Sequence, residues 1–195
     1  AATKSLTTQM LCCTLLVLKY AAHKGIDISG YLAQLNQLSE AVNDTYKLHH
    51  QIKDMAKFLA KFKNIVITAD GISYAIAKEA SLKIKETSYL NVYSSILGEF
   101  MHGHVAILNN KPAMIHISVN DLSYTAIKNL NKIEEDYNPS LCVIGCSNEK
   151  IKTKFNININ CESDIVKSFC IVVIIQLLAL EIAQCLHRNV DKPHG

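Results

Sequence analysis

The stretch Asn64-Ile-Val-Ile-Thr-Ala-Asp-Gly71, running on into Ile72-Ser-Tyr-Ala-Ile-Ala-Lys-Glu79, decides how the rest of the chain reads. Ile65, Val66 and Ile67 are consecutive β-branched residues without polar alternation, as a strand buried on both faces requires. Asp70-Gly71 ends that run in a turn, and a helical pattern follows over about 74–87. Strand, glycine turn and helix open a βαβ unit. Two more strand-like runs, Ala113-Met-Ile-His-Ile-Ser-Val119 and Leu141-Cys-Val-Ile-Gly145, lie either side of a helix starting near Asp121. That helix carries Leu122, Ala126, Ile127, Leu130 and Ile133 on one face. Residues 156–159 read as a last short strand, and Ser163 as the N-cap of a final helix to about Leu186. The fold class is therefore α/β, a three-layer α/β/α domain with a doubly wound parallel sheet.

Helices precede it. Leu6, Met10, Leu11, Leu15 and Leu18 recur at helical spacing over 3–22, and Gly25 follows as a stop. The segment 27–62 reads as two helices, the second long and amphipathic through Met55, Phe58, Leu59 and Phe62. A short helical piece is expected at 94–101. Some sixty helical residues ahead of the first strand, and a start at Ala1-Ala-Thr-Lys, read as part of a longer protein.

Composition narrows the function. The 195 residues are 49% hydrophobic, enough for a sizeable core, and the formal net charge is only +3. No basic block is interleaved with aromatics, so nucleic acid is not expected as a partner. The seven cysteines form no framework and sit in apolar settings, which points to reduced thiols in the cytoplasm. Cys142 and Cys146 lack the paired histidines of a zinc site, and no metal or cofactor is expected. The longest apolar run, 169–180, is interrupted by Gln176 and closed by Glu181. It reads as a buried helix too short to span a bilayer, so a soluble protein without a membrane partner is expected.

Chemistry concentrates on the helix after the glycine turn. At 100° per residue, Glu79, Lys83 and Glu86 fall within an arc of about 60°, bordering the apolar stripe of Ile72, Ile76, Ala80 and Ile84. Partial burial raises a carboxylate pKa there and the lysine lowers it, and either makes a tunable general base. The same spacing also suits a plain Glu79–Lys83 pair on a half-exposed helix, worth about 0.2–0.5 kcal/mol. His102-Gly-His104 suits a tight bend presenting His102 at a domain edge. His49 and His50 read as solvated, and His116, alternating with Ile115 and Ile117, as structural. No G-x-x-x-x-G-K-[ST] or G-x-G-x-x-G loop is present, and Asp70 argues against a phosphate at the helix start beside it.

Tyr74-Ala-Ile-Ala-Lys-Glu-Ala-Ser-Leu-Lys-Ile-Lys-Glu-Thr-Ser-Tyr89, followed by Gly98-Glu-Phe-Met-His-Gly103, resembles the second sugar-isomerase (SIS) domain of the glutamine–fructose-6-phosphate transaminase family. The family pattern is E-G-A-L-K-L-K-E-x-S-Y, then G-E-x-x-H-G-P. Ala2-Thr-Lys-Ser-Leu-Thr-Thr-Gln9 is similar to the segment closing that family's first SIS domain, and Val190-Asp-Lys-Pro-His-Gly195 to the stretch before its C-terminal tail. The resemblance implies 1–25 as the terminal helix of a preceding SIS domain, 26–62 as connecting helices, and 63–195 as the second SIS core. It implies Glu86 as the base moving a proton between the first two carbons of fructose-6-phosphate or glucosamine-6-phosphate. Lys83 would assist at the neighbouring heteroatom, Glu79 would support or touch substrate, and His102 would open the sugar ring in the neighbouring subunit of a homodimer. The close alternative is a glucosamine-6-phosphate deaminase without a glutaminase domain. A non-catalytic sugar-phosphate sensor is the other, since Asp70 stands where the family has arginine. The family's S-x-S-G-x-T phosphate loop, its C-terminal lysine and its glutaminase domain have no counterpart here, so the chain alone is expected to be poorly active.

Overall fold

The computed structural model describes residues 3–146 and 148–190. Five strands form one sheet: β1 (Asn64–Ala69), β2 (Asn91–Ile96), β3 (Ala113–Ile117), β4 (Ser140–Gly145) and β5 (Phe155–Asn158). Their order is β2-β1-β3-β4-β5, every neighbouring pair parallel. The chain steps outward from β1 to β2, then returns past β1 to β3, so the sheet is doubly wound as expected.

Period-two alternation assigns each face. Ile65, Ile67, Ala69, Ala113, Ile115, Ile117, Cys142 and Ile144 point into one core cluster, and Val66, Met114, Leu141 and Val143 into the other. The first cluster is covered by α4 (His49–Leu59), α5 (Ser73–Ser88) and α8 (Asp164–Cys185). The second is covered by α6 (Leu97–Phe100), a 3₁₀ segment (His104–Asn110) and α7 (Tyr124–Tyr137). Three layers result, with both sheet faces dry. Ser123 caps α7 and Ser163 caps α8, each side chain accepting the amide three residues on.

Three sequence expectations are corrected. Residues 94–101 are not one helical piece: Ser94, Ser95 and Ile96 finish β2, and helix begins only at Leu97. This edge strand has one neighbour, β1, and only Val92 and Ser95 are buried, so its pattern carries little apolar signal. The segment 27–62 holds three helices rather than two, α2 (Ser29–Asn36), α3 (Leu38–Thr45) and α4, with a 3₁₀ turn at Tyr46–Leu48. The run 169–180 is the middle of a 22-residue helix of mean hydropathy 2.3, long and apolar enough by length and composition to cross a membrane. Within the fold, 67% of its apolar window is buried, the setting of a core helix. Helix α1 (Thr3–His23) meets the same length and composition test but leaves Leu15, Leu16, Val17 and Tyr20 exposed.

Helix α8 seats closely on the sheet. Gly145, at φ +106°, ends β4 with the Ser118 carbonyl and the Ile171 side chain where a Cβ would stand. That contact seats the N-terminal half of α8 against the end of β4.

Candidate functional site

The site is built on the last three turns of α5. Ile76, Ala77, Ala80 and Ile84 bury one face of this helix in the core. The residues bordering that stripe, Glu79, Lys83 and Glu86, converge as their spacing predicts. Lys83 Nζ lies 2.9 Å from Glu86 Oε2 and 3.4 Å from Glu79 Oε1. Only 8% of the Lys83 side chain is exposed, against 20% for Glu79 and 39% for Glu86. Burial alone would lower the Lys83 pKa; the bond to Glu86 and the charges of both carboxylates outweigh it and hold the ammonium above its ordinary value.

Lys83 and Thr87 face a cavity of about 330 Å³ between α5 and α8, lined on the α8 side by Gln176, Ala179 and Leu180 and elsewhere by Tyr46 and Val190. Its wall is mostly apolar with a few polar groups, the usual make-up of a small-molecule site. Lys83 is the only cation among the described residues lining it. One ammonium facing two carboxylates leaves the cluster with a formal charge of −1, so an acceptor of protons remains after the ion pair is satisfied.

His102 lies apart from this cluster. It follows α6, its amide donating to the Glu99 carbonyl at 3.0 Å, and Gly103 takes φ +104° to turn the chain. Leu97 and Phe100 are fully buried and anchor α6, each contributing about 1.5–3 kcal/mol. His102 itself is exposed and does not line the cavity. The Asp70 carboxyl ends β1 beside α6, and burial holds its pKa above the usual carboxylate range against the amides of Leu97 and Gly98.

The remaining histidines divide. His116 is structural as expected, 1% exposed and 3.0 Å from Thr68 Oγ1 across the β1–β3 register. Burial pushes its pKa down to about 4. His50 is solvent-exposed, 3.2 Å from Asp54. His49 is not simply solvated: its Nε2 lies 2.6 Å from Oε1 of Glu181, which is buried in α8. The two residues stand 132 positions apart, so no local pattern could have paired them. No local pattern marks Thr87, Gln176 or Tyr46 either, because a helical period does not say which residues border a gap. The stretch after Val190 that resembles the family's C-terminal segment lies outside the described residues. Among the described residues no three His, Cys, Asp or Glu side chains converge as a metal site requires.

Comparison with known proteins gives the site a context. The SIS domain family model matches residues 58–184. The whole chain aligns with the glutamine–fructose-6-phosphate aminotransferase (isomerizing) of Buchnera aphidicola subsp. Baizongia pistaciae at 32% identity over 203 residues. It aligns equally completely with that of Bacteroides thetaiotaomicron at 28% over 202 residues. In both cases the chain spans 33% of the relative's length. In structure it is similar to the C-terminal domain of glucosamine-fructose-6-phosphate aminotransferase from Francisella tularensis, with TM-score 0.87 and 20% identity. That match covers 98% of this chain and 56% of the other. Glucosamine-6-phosphate deaminase from Thermotoga maritima shares the fold at TM-score 0.71 and 17% identity, covering 99% and 55%.

Proposed function

Because the chain belongs to the SIS domain family, we propose that it is the isomerase part of an amino-sugar-phosphate enzyme that interconverts fructose-6-phosphate and glucosamine-6-phosphate, with ammonia condensing at C2 to an imine and water leaving before the proton shift, or the reverse. The observation that carries this reading is the Glu79–Lys83–Glu86 cluster beside the α5–α8 cavity. Lys83, held above its ordinary pKa, keeps its proton at neutral pH and is a donor rather than a base. The base is then a carboxylate, and we assign it to Glu86, the more exposed of the two and 2.9 Å from the cavity-lining Lys83. Glu86 takes the proton from one of the first two sugar carbons and returns it to the other through an enolamine or enediol. Lys83 steadies the charge that develops on the adjacent oxygen or nitrogen, and Glu79 fixes Lys83 from the other side. Such proton transfer by a positioned group contributes about 10²–10⁴-fold.

His102, standing away from the cavity, acts in this reading on the ring of a sugar bound by the neighbouring subunit of a homodimer. Residues 1–25 close a preceding SIS domain, 26–62 connect, and 63–195 form the second SIS core, in a cytoplasmic enzyme. A cavity whose one cation among the described residues is already matched by two carboxylates is poorly suited to grip a phosphate dianion. The phosphate is therefore held by groups beyond this lining, in keeping with a chain that spans a third of its relatives' length.

The test uses the full-length protein that carries this chain. It is incubated with glucosamine-6-phosphate in heavy water, with deuterium at the first two carbons followed by NMR and ammonia assayed alongside. Exchange is expected, and Glu86→Gln should slow it by about 10²–10⁴-fold while the protein stays folded, as a melting curve checks. Exchange at the wild-type rate in that variant would remove Glu86 as the base. Ammonia release would shift the reading to a deaminase. A well-folded wild type that binds the sugar phosphate but shows neither reaction would make the chain a sensor.

A further inference from the structure

We propose that Thr87 is a positioning residue for the Lys83–Glu86 pair, tying its turn of α5 to the opposite wall of the cavity. The inference rests on the roles just given to those two residues. Thr87 lies between them and the core, 7% exposed, and lines the cavity together with Lys83. Its hydroxyl oxygen is 2.9 Å from the Lys83 carbonyl on its own helix and 3.2 Å from the Ala179 carbonyl on α8. A hydroxyl has a single hydrogen, so it shares that hydrogen between the two carbonyls or alternates between them. Either way one atom bridges the backbone of Lys83 itself to a residue on the facing wall.

The neighbouring residue shows what is particular about this. Ser88 donates to the Ile84 carbonyl, one turn back in its own helix, and reaches no other element through its hydroxyl. Such a back-bond relaxes a helix end locally and sets nothing beyond it. The Thr87 bond crosses the gap at the one place where α5 presents Lys83 to the cavity. The separation between Lys83 and the α8 wall of Gln176, Ala179 and Leu180 is thereby fixed from the floor. A proton-transfer geometry depends steeply on such separations, since about 1 Å of misplacement costs up to 10²-fold in rate.

Thr87→Val keeps the shape of the side chain and removes the hydroxyl. The Lys83 and Ala179 carbonyls keep their places in helical ladders, so the fold should survive, which a melting curve checks. In the full-length protein, kcat for sugar-phosphate isomerisation should fall about 10- to 100-fold while KM changes by less than about threefold. Thr87→Ser restores the hydroxyl without the methyl and should bring kcat back to within about threefold of wild type. An unaltered kcat in Thr87→Val overturns the inference. So does a loss that Thr87→Ser fails to repair, because packing of the methyl would then be the cause. A wild-type protein without any exchange overturns the reading of Lys83 and Glu86, and this inference with it. That outcome is distinct, since it precedes any Thr87 variant.

Discussion

Lys83 on α5 and Glu181 on α8 are almost equally buried, with 8% and 6% of their side chains exposed, on helices that pack against each other. Their surroundings differ in two ways. Lys83 meets two carboxylates and faces a cavity, whereas Glu181 meets one imidazole, that of His49, and does not line that cavity. The Glu181 carboxylate, bonded to that imidazole, holds α4 and α8 together. A charge matched two for one leaves a carboxylate in surplus, beside a cavity that the lysine itself lines. Burial of a charge thus separates neither case, while the count of partners and the adjoining space separate both.

The strongest way to break this contrast is to delete Lys83. Lys83→Met should lower sugar-phosphate isomerisation about 10³-fold, equivalent to roughly 4 kcal/mol of barrier. A small loss would mean that the cluster is as structural as the His49–Glu181 pair. Stability should respond in a definite pH window. A lysine pKa raised in the folded state adds stability that is fully present below the ordinary value of 10.5 and is lost as pH climbs through the folded value. Denaturant titrations should therefore show a constant gap between wild type and Lys83→Met through neutral pH, closing only above 10.5. A gap that closes below pH 9 would mean Lys83 is not held by its carboxylates.

His116 sharpens the same comparison by showing burial with no charged partner at all. Its pKa is pushed from 6.5 down to about 4 by burial, which keeps it neutral near pH 7, and its Nδ1 is bonded to the Thr68 hydroxyl. For a histidine depressed in the folded state, the unfolded chain takes up protons first. Stability should fall as pH drops from 6.5 towards 4, by about 3 kcal/mol from this residue. His116→Gln should flatten that slope in denaturant titrations at pH 7, 5.5 and 4.5, whatever it does to stability at pH 7. An unchanged slope would show that another group carries the acid sensitivity.

How far each region was legible in the sequence follows from the range of the interactions that make it. The Glu79, Lys83 and Glu86 cluster lies within two turns of one helix, so the 3.6-residue period brings it together before any tertiary contact is known. Strands β1, β3 and β4 are central, apolar on both faces, and stand out as runs. Edge strand β2 is not apolar enough to show, and its Ser94-Ser95-Ile96 end reads in sequence as the start of a helix. His49 reads as an exposed residue at the start of an amphipathic helix, because its partner arrives from the far end of the chain. Thr87 looks like one more polar residue in a helix until α8 is in place to receive its hydroxyl. Local periodicity reveals what one element can assemble, and what it hides depends on a second element.

The smallest expected effect tests the structural side of the contrast. His49→Ala leaves the Glu181 carboxylate buried without its imidazole. Breaking a fully buried pair costs about 3–5 kcal/mol, but His49 is half exposed and solvent can reach the gap, so about 2 kcal/mol is expected. Combining His49→Leu with Glu181→Leu removes the charge along with its partner and should recover most of that stability, because an apolar pair of similar size needs no compensation. In both variants kcat should stay within about twofold of wild type, a margin set by their lack of contact with the reacting groups. Recovery by the double variant with unchanged turnover makes the pair a structural clasp between α4 and α8. A loss of turnover approaching that of Lys83→Met would instead join the two buried charges into one functional network, and the rule of counting partners would fall.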